Sequence, residues 1–187
     1  YYNALCDKRQ GNADDEQVMK IELLMKQAGI TVEDRPVIGA ANKRAEETGS
    51  PAAAMELPDG TIITGKTSEL LGASSALLLN ALKALAGLED ELHMIAPTII
   101  EPIQELKIKH LGNNNPRLHT DEVLLALSIC AANDEKARRA MEQLPNLKGA
   151  EVHSSVILSR VDKTMFRKLG INLTCEPVYQ TKKLYHK

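Results

Sequence analysis

Aromatic side chains are nearly missing from this chain of 187 residues: one Phe, four Tyr and no Trp. That scarcity argues against base-stacking platforms for single-stranded nucleic acid. The core must be built from Leu, Ile, Val, Ala and Met. Charge of either sign is not in surplus, since the net charge is −2. The basic residues are scattered until the C-terminus, so no DNA or RNA footprint is expected. No apolar run approaches the ~20 residues of a membrane span, and no signal peptide is visible. Cys6, Cys130 and Cys175 are an odd set without close pairing. That argues against a disulfide framework and places the chain in a reducing cytoplasm. What is present is 43% hydrophobic residues, enough for the core of one domain with a helical appendage. The chain begins at Tyr1 rather than Met, and residues 1–10 read like the end of a helix, so a fragment of a longer protein is expected.

Residues 1–49 read as a helical lead-in. Asp14 and Asp15 suit a helix start, Val18, Ile21, Leu24, Met25 and Ala28 form a 3.6-period apolar face, and Gly29 stops the helix. Pro36 opens another helix, which Gly49 ends. Residues 50–187 read as an α/β domain. Ala53, Met55 and Leu57 alternate as a strand, Pro58-Asp59-Gly60 turns, and Thr61 to Thr64 returns. Ser74 to Ala86 is apolar all round, as a buried helix is. Leu92, Met94 and Ala96 alternate in an expected third strand, Glu91 to Ala96. Further helices are expected over Thr98 to Leu111, from Thr120, and from Asp134 to Leu144. A strand follows over Glu151 to Leu158. Ser159 to Asp162 is a capping-box variant opening a short helix, and Ile171 to Thr174 forms a last strand. Strands joined through helices favour a three-layer mixed sheet with helices on both faces.

Several stretches carry resemblances. Ala76 to Lys83, His93 to Pro97, Ile100 to Ile103, Asp121 to Ile129, Val152 to Leu158, Phe166 to Ile171 and Thr174 to Pro177 resemble the C-terminal part of a bacterial family catalogued as domain of unknown function eighteen-forty-six. The likeness spans essentially the whole chain and implies no established activity. It also implies that full-length members carry an upstream Gly-rich segment resembling a phosphate-binding loop. No Gly-x-x-x-x-Gly-Lys-Ser/Thr occurs here, so nucleotide chemistry would belong to that other region. The order of elements, with Pro97-Thr98-Ile99-Ile100-Glu101 at a helix start, is also similar to cytidine deaminases, which place Pro-Cys-x-x-Cys there. Thr98 and Glu101 stand where that resemblance would put zinc-binding cysteines. No His or Cys with a Glu two residues later occurs around Leu70 to Ala76. Neither a metal, a cofactor nor zinc deaminase activity is expected.

The vacated pocket is the candidate site. Ser68, Ser74 and Ser75 precede or open the central helix and Thr98 starts the next, so their hydroxyls either line a cleft for a small anion or merely cap helices. Asn80 and Lys83 are the only interior polar residues of the buried helix. Lys83 either meets an anion or Glu101, or snorkels to the surface. His119 and Asp121 flank Thr120 as an acid–base pair or as a capped helix start. His153 shares a strand face with Ser155 and reads as a hydrogen-bonded core histidine or a base without its orienting group. Cys175 reads as structural. The basic tail, with Tyr179, Lys182, Lys183, Tyr185 and Lys187, is a solvated end or a contact. Two functions follow. One is a non-catalytic assembly or regulatory domain of a larger cytoplasmic protein, working as a homo-oligomer. The other is an enzyme or binding domain for a small anionic or nucleotide-like ligand at Ser68, Ser74, Ser75, Asn80, Lys83, Thr98, Glu101 and His153.

Overall fold

A computed structural model of the chain describes residues 1–180. Tyr179 is described; the lysines and Tyr185 of the tail lie outside the described residues. Three helices come first: α1 (Tyr2–Arg9), α2 (Asp15–Ala28) and α3 (Pro36–Thr48). Asp14 caps α2 by accepting the Gln17 N–H at 3.0 Å, and Gly29 ends it at φ 65°. Then follow β1 (Ala52–Glu56), β2 (Ile62–Lys66), α4 (Ala73–Leu85), α5 (Pro97–Glu105), α6 (Thr120–Ala131), α7 (Glu135–Met141), β3 (Glu151–Ser154), α8 (Arg160–Lys168) and β4 (Asn172–Cys175). The sheet runs β2-β1-β3-β4. Its first two pairings are antiparallel and β3–β4 is parallel. The chain is therefore α/β with a mixed sheet.

Strand β1 is buried on both sides. Ala53 and Met55 join the main core with Leu77, Leu78 and Leu82 of α4, while Ala54 packs with Val37 and Ala41 of α3. Successive strand residues point to opposite faces, so α4 and α3 meet opposite-pointing residues of β1. Gly65 of β2 lets α4 approach closely, because a Cβ there would stand 2.2 Å from the Leu77 nitrogen.

The expected third strand is not formed. Glu91 to Ala96 runs through turns and bends. Met94 and Ile95 are both buried, which breaks the alternation a half-buried strand requires. The Lys83 ammonium donates to the Asp90 carbonyl, folding this connection back onto the end of α4. Burial, not ladder pairing, accounts for the apolar pattern. Strand β3 is also shorter than the expected Glu151 to Leu158. The Ser154 hydroxyl donates to the Val156 carbonyl at 2.8 Å and turns the chain.

Two helices carry apolar residues on an outward face. Of the α2 stripe only Val18 is buried; Leu24 is 62% exposed, and Met19 and Leu23 are more than half exposed. On α6 the buried apolar residues are Val123, Ala126 and Leu127, whereas Leu125 and Ile129 face outward.

Arg35 joins the N-terminal helices to the sheet. Its guanidinium donates to Glu151 Oε2 at 2.7 Å, to the Asn172 carbonyl at 2.9 Å, to the Val152 carbonyl at 3.1 Å, and to the Thr174 hydroxyl. A lysine lacks this planar fork. Arg35→Lys is expected to lower stability by ~1–2 kcal/mol, read as a lower urea midpoint with an unchanged slope. An unchanged midpoint would mean that these bonds hold nothing together.

Candidate functional site

Three helices begin at one place. The N-cap residues of α4, α6 and α8 are Gly72, His119 and Ser159. Gly72, Ala73, Ser74, Arg117, His119 and Asp162 all line one cavity of about 20 Å³, room for one water-sized group. Backbone bonds tie the helix starts together. The Leu118 N–H donates to the Leu70 carbonyl at 3.0 Å, and the Ser75 hydroxyl donates to the Leu118 carbonyl at 2.8 Å.

Asp162 joins α6 to α8. It is 4% exposed. Its Oδ1 accepts the backbone N–H and the hydroxyl of Thr120, each at 3.0 Å. Its Oδ2 accepts the Ser159 hydroxyl at 2.7 Å and lies 3.1 Å from His119 Nδ1. Burial alone would push this carboxyl up; the hydrogen bond and charge of His119, with Thr120 and Ser159, outweigh it and hold the carboxyl below its ordinary value. The same bond raises His119 above its ordinary value, against burial and the Lys107 charge. Lys107 is itself buried on the π-helical turn Leu106–His110. Its ammonium lies 2.6 Å from Glu122 Oε2 and 2.6 Å from the Arg117 carbonyl, and Glu122 accepts the His119 N–H at 2.8 Å.

Helix starts carry orphan N–H groups and a partial positive charge. Asp162 and Glu122 occupy the start of α6, and Ser159 serves α8 by accepting the Asp162 N–H at 3.1 Å. Gly72 gives α4 no side-chain cap. Ser74, in the first turn of α4, is 2% exposed, and its side chain makes no hydrogen bond among the described residues.

The structure brings together only part of the set read from the sequence. Ser74 and Ser75 stand at the start of α4. Ser68 lies just upstream, its hydroxyl accepting the Leu71 N–H at 3.1 Å and its carbonyl the Arg117 Nε–H at 2.6 Å. Asn80 donates to the Thr64 carbonyl at 2.9 Å, the bond to neighbouring backbone that a buried helix amide needs. Lys83 serves the Asp90 carbonyl rather than Glu101. Thr98 and Glu101 are exposed on α5. Gln104, at the far end of that helix, donates to the Glu69 carbonyl at 3.1 Å. Thr98 therefore sits about 9 Å back along the axis, away from Ser74. Without a strand at Glu91 to Ala96 the two helix starts do not converge; α6 and α8 meet α4 instead. His119 pairs with Asp162, not with Asp121. Among the described residues no cluster of three His, Cys, Asp or Glu is arranged to hold a metal, and no helix is long and apolar enough to cross a membrane.

His153 is fully buried. His153 Nδ1 lies 2.8 Å from the Thr174 hydroxyl, which also accepts from Arg35, and Nε2 lies 3.2 Å from Glu176 Oε1. Tyr2 packs edge-on at 4.7 Å. Ser155 is turned away, accepting the Ala52 N–H at 3.0 Å. Burial pushes His153 below its ordinary value despite Glu176. As pH falls below 6.5 the unfolded chain therefore binds a proton that the folded chain refuses, and stability falls. His119 works oppositely, since its contribution is complete below 6.5 and is lost as pH rises through its raised value. Urea midpoints are expected to drop on both sides of neutrality. The acid-side drop should vanish in His153→Gln and the alkaline-side drop in His119→Gln. Unaltered profiles in these variants would contradict the assignment.

The fold and the site define an α/β domain with a mixed sheet and helix starts gathered at one end. The chain belongs to the family described as "Domain of unknown function DUF1846, C-terminal", whose model matches residues 33–185. It is 56% identical to the UPF0371 protein cu0538 of Corynebacterium urealyticum, 53% to the UPF0371 protein stu1377 of Streptococcus thermophilus and 51% to the UPF0371 protein SpyM50764 of Streptococcus pyogenes. Each match covers all 187 residues of this chain and 38% of the relative. The chain thus spans well under half the length of these proteins.

Of the residues at the cavity, Arg117 and Asp162 are absent from the set read as ligand-binding. The capping pattern Ser159–Asp162 did mark Asp162 as a helix-start carboxylate. Its partnership with His119 crosses 43 residues and leaves no local spacing.

Proposed function

We propose that this chain is a non-catalytic assembly domain of a longer cytoplasmic bacterial protein, docking onto the remainder of that protein through the outward face of α2. One observation carries the reading: Met19, Leu23 and Leu24 are each more than half exposed, on a helix whose apolar stripe calls for a partner. The occupant is the rest of the longer protein, because more than half the length of each relative lies outside this chain. The face adjoins a groove of about 1050 Å³ lined by Met25 and Ile30 together with Tyr2, Arg35, Lys163 and Thr174. Three free cysteines suit a reducing cytoplasm. Residues 1–49 then act as the connecting segment and residues 50–187 as the α/β body. Helices α3 and α4 about β1 support a three-layer arrangement. Likeness to cytidine deaminases rests on the β1–β2–α4 opening.

The test is Leu24→Lys, made in this chain and in the full-length protein. In this chain a charge at an exposed site should change stability by less than about 0.5 kcal/mol. In the full-length protein it should lower the melting temperature by several degrees or free the domain to melt separately. Equal, small effects in both would refute docking through α2. Light scattering on the same samples reads whether copies assemble into the homo-oligomer that goes with this role.

A further inference from the structure

We propose that the start of α4 is an oxyanion seat taking phosphate, free or as the end of a monoester, with Ser74 at its base and Arg117 and His119 at its rim. The first-turn N–H groups of α4 have no side-chain cap, and such groups cradle anions. A second observation is independent of the helix. The Ser74 side chain belongs to a residue 2% exposed, lines the cavity, and makes no hydrogen bond among the described residues. A ligand oxygen in the cavity supplies the partner that this hydroxyl lacks. Arg117 and His119 line the same cavity and are only half-buried, so they stand on the solvent side. His119 Nδ1 is committed to Asp162, which leaves Nε2 for a ligand.

The cavity size selects the mode of binding. About 20 Å³ admits one oxygen. A tetrahedral oxyanion can place one oxygen against Ser74 and the α4 N–H groups while its others meet Arg117 and His119 outside. One carboxylate lines the cavity, that of Asp162, and its oxygens are already taken by Thr120, Ser159 and His119. The other charges facing His119 are Lys107 and Glu122, which pair with each other at 2.6 Å. The net field at the rim is therefore cationic while His119 is protonated. His119 keeps that charge to higher pH through its bond to Asp162, so binding should weaken as His119 loses its proton.

The test follows backbone amide NMR shifts of the purified chain during titration with inorganic phosphate, phenyl phosphate, sulfate and chloride. Phosphate should move the amides of Ala73, Ser74 and Ser75 with a dissociation constant of about 1 mM. Phenyl phosphate binding as well as inorganic phosphate assigns the seat to a monoester end, and inorganic phosphate alone assigns it to the free ion. Sulfate keeps its charge across the range, so it reads His119 alone. Its affinity should fall severalfold from pH 6 to pH 9 in the native chain and stay flat in His119→Gln. Gly72→Asp should abolish binding while the melting temperature holds or rises. Gly72 has φ −70° and ψ 161°, which any residue adopts, and an Asp there caps the helix and fills the seat with its own carboxylate. No shift at Ala73 to Ser75 with phosphate, shifts equally produced by chloride, or undiminished binding in Gly72→Asp would each overturn the proposal.

Discussion

Gly65→Ala is expected to prevent the chain from folding to a soluble, cooperative state. The added Cβ would lie 2.2 Å from the Leu77 nitrogen, 2.5 Å from its Cα and 2.8 Å from the Ala76 carbonyl carbon. These are backbone atoms of α4, so no side-chain rotation relieves the clash. The helix must move off β2, and the packing of Leu77, Leu78 and Leu82 against Met55 opens with it. Overpacking ordinarily costs ~1–3 kcal/mol. A backbone collision in the main core should reach about 4 kcal/mol or more, much of the stability of a domain this size. Gly72→Ala is the control, because a Cβ there meets its nearest atoms at 3.9 Å. Circular dichroism and urea titration of the two variants read the contrast. A Gly65→Ala chain that melts like the native one would mean that α4 is not seated on β2 as described.

Asp162→Ala should be nearly as damaging, through a different cause. It strands the Thr120 N–H and hydroxyl, the Ser159 hydroxyl and His119 Nδ1 at a buried junction. Removing one partner from a buried charged network costs ~3–5 kcal/mol. The loss has a pH signature. The depressed carboxyl of Asp162 contributes stability that is present above its ordinary 3.8 and fades as pH falls through its lowered value. The raised His119 contributes stability that is present below 6.5 and fades as pH rises through its own value. The gap between native and Asp162→Ala chains should therefore be widest between pH 3.8 and 6.5. Asp162→Asn keeps the shape without the charge and should lose roughly 1–3 kcal/mol. A gap that does not vary with pH would mean that the His119–Asp162 bond carries no charge interaction.

Local chemistry was legible in the sequence wherever one residue decides it. Asp14, Gly29, Pro36 and Gly49 bound α2 and α3 as read, because a cap needs only its own helix. Asp59-Gly60 turned β1 into β2, and the apolar stretch from Ser74 gave the buried α4. Glu91 to Ala96 misled because a short apolar run looks alike whether it pairs in a ladder or fills a gap in the core. The absent strand then decided the site: a return strand would have carried the start of α5 beside Ser74. Instead the connection folds back at Asp90, and α6 and α8 supply the neighbours. His119 and Asp162 met across a separation that no spacing encodes, and the outward face of α2 was not legible because periodicity reports an apolar stripe without saying what covers it.

Hydrogen exchange across α2 tests the central claim most directly, measured on this chain and on the full-length protein under one set of conditions. A docked α2 should exchange freely in this chain and be slowed at least about tenfold from Val18 to Ala28 in the full-length protein. The same exchange rates through α2 in both would contradict the assembly role.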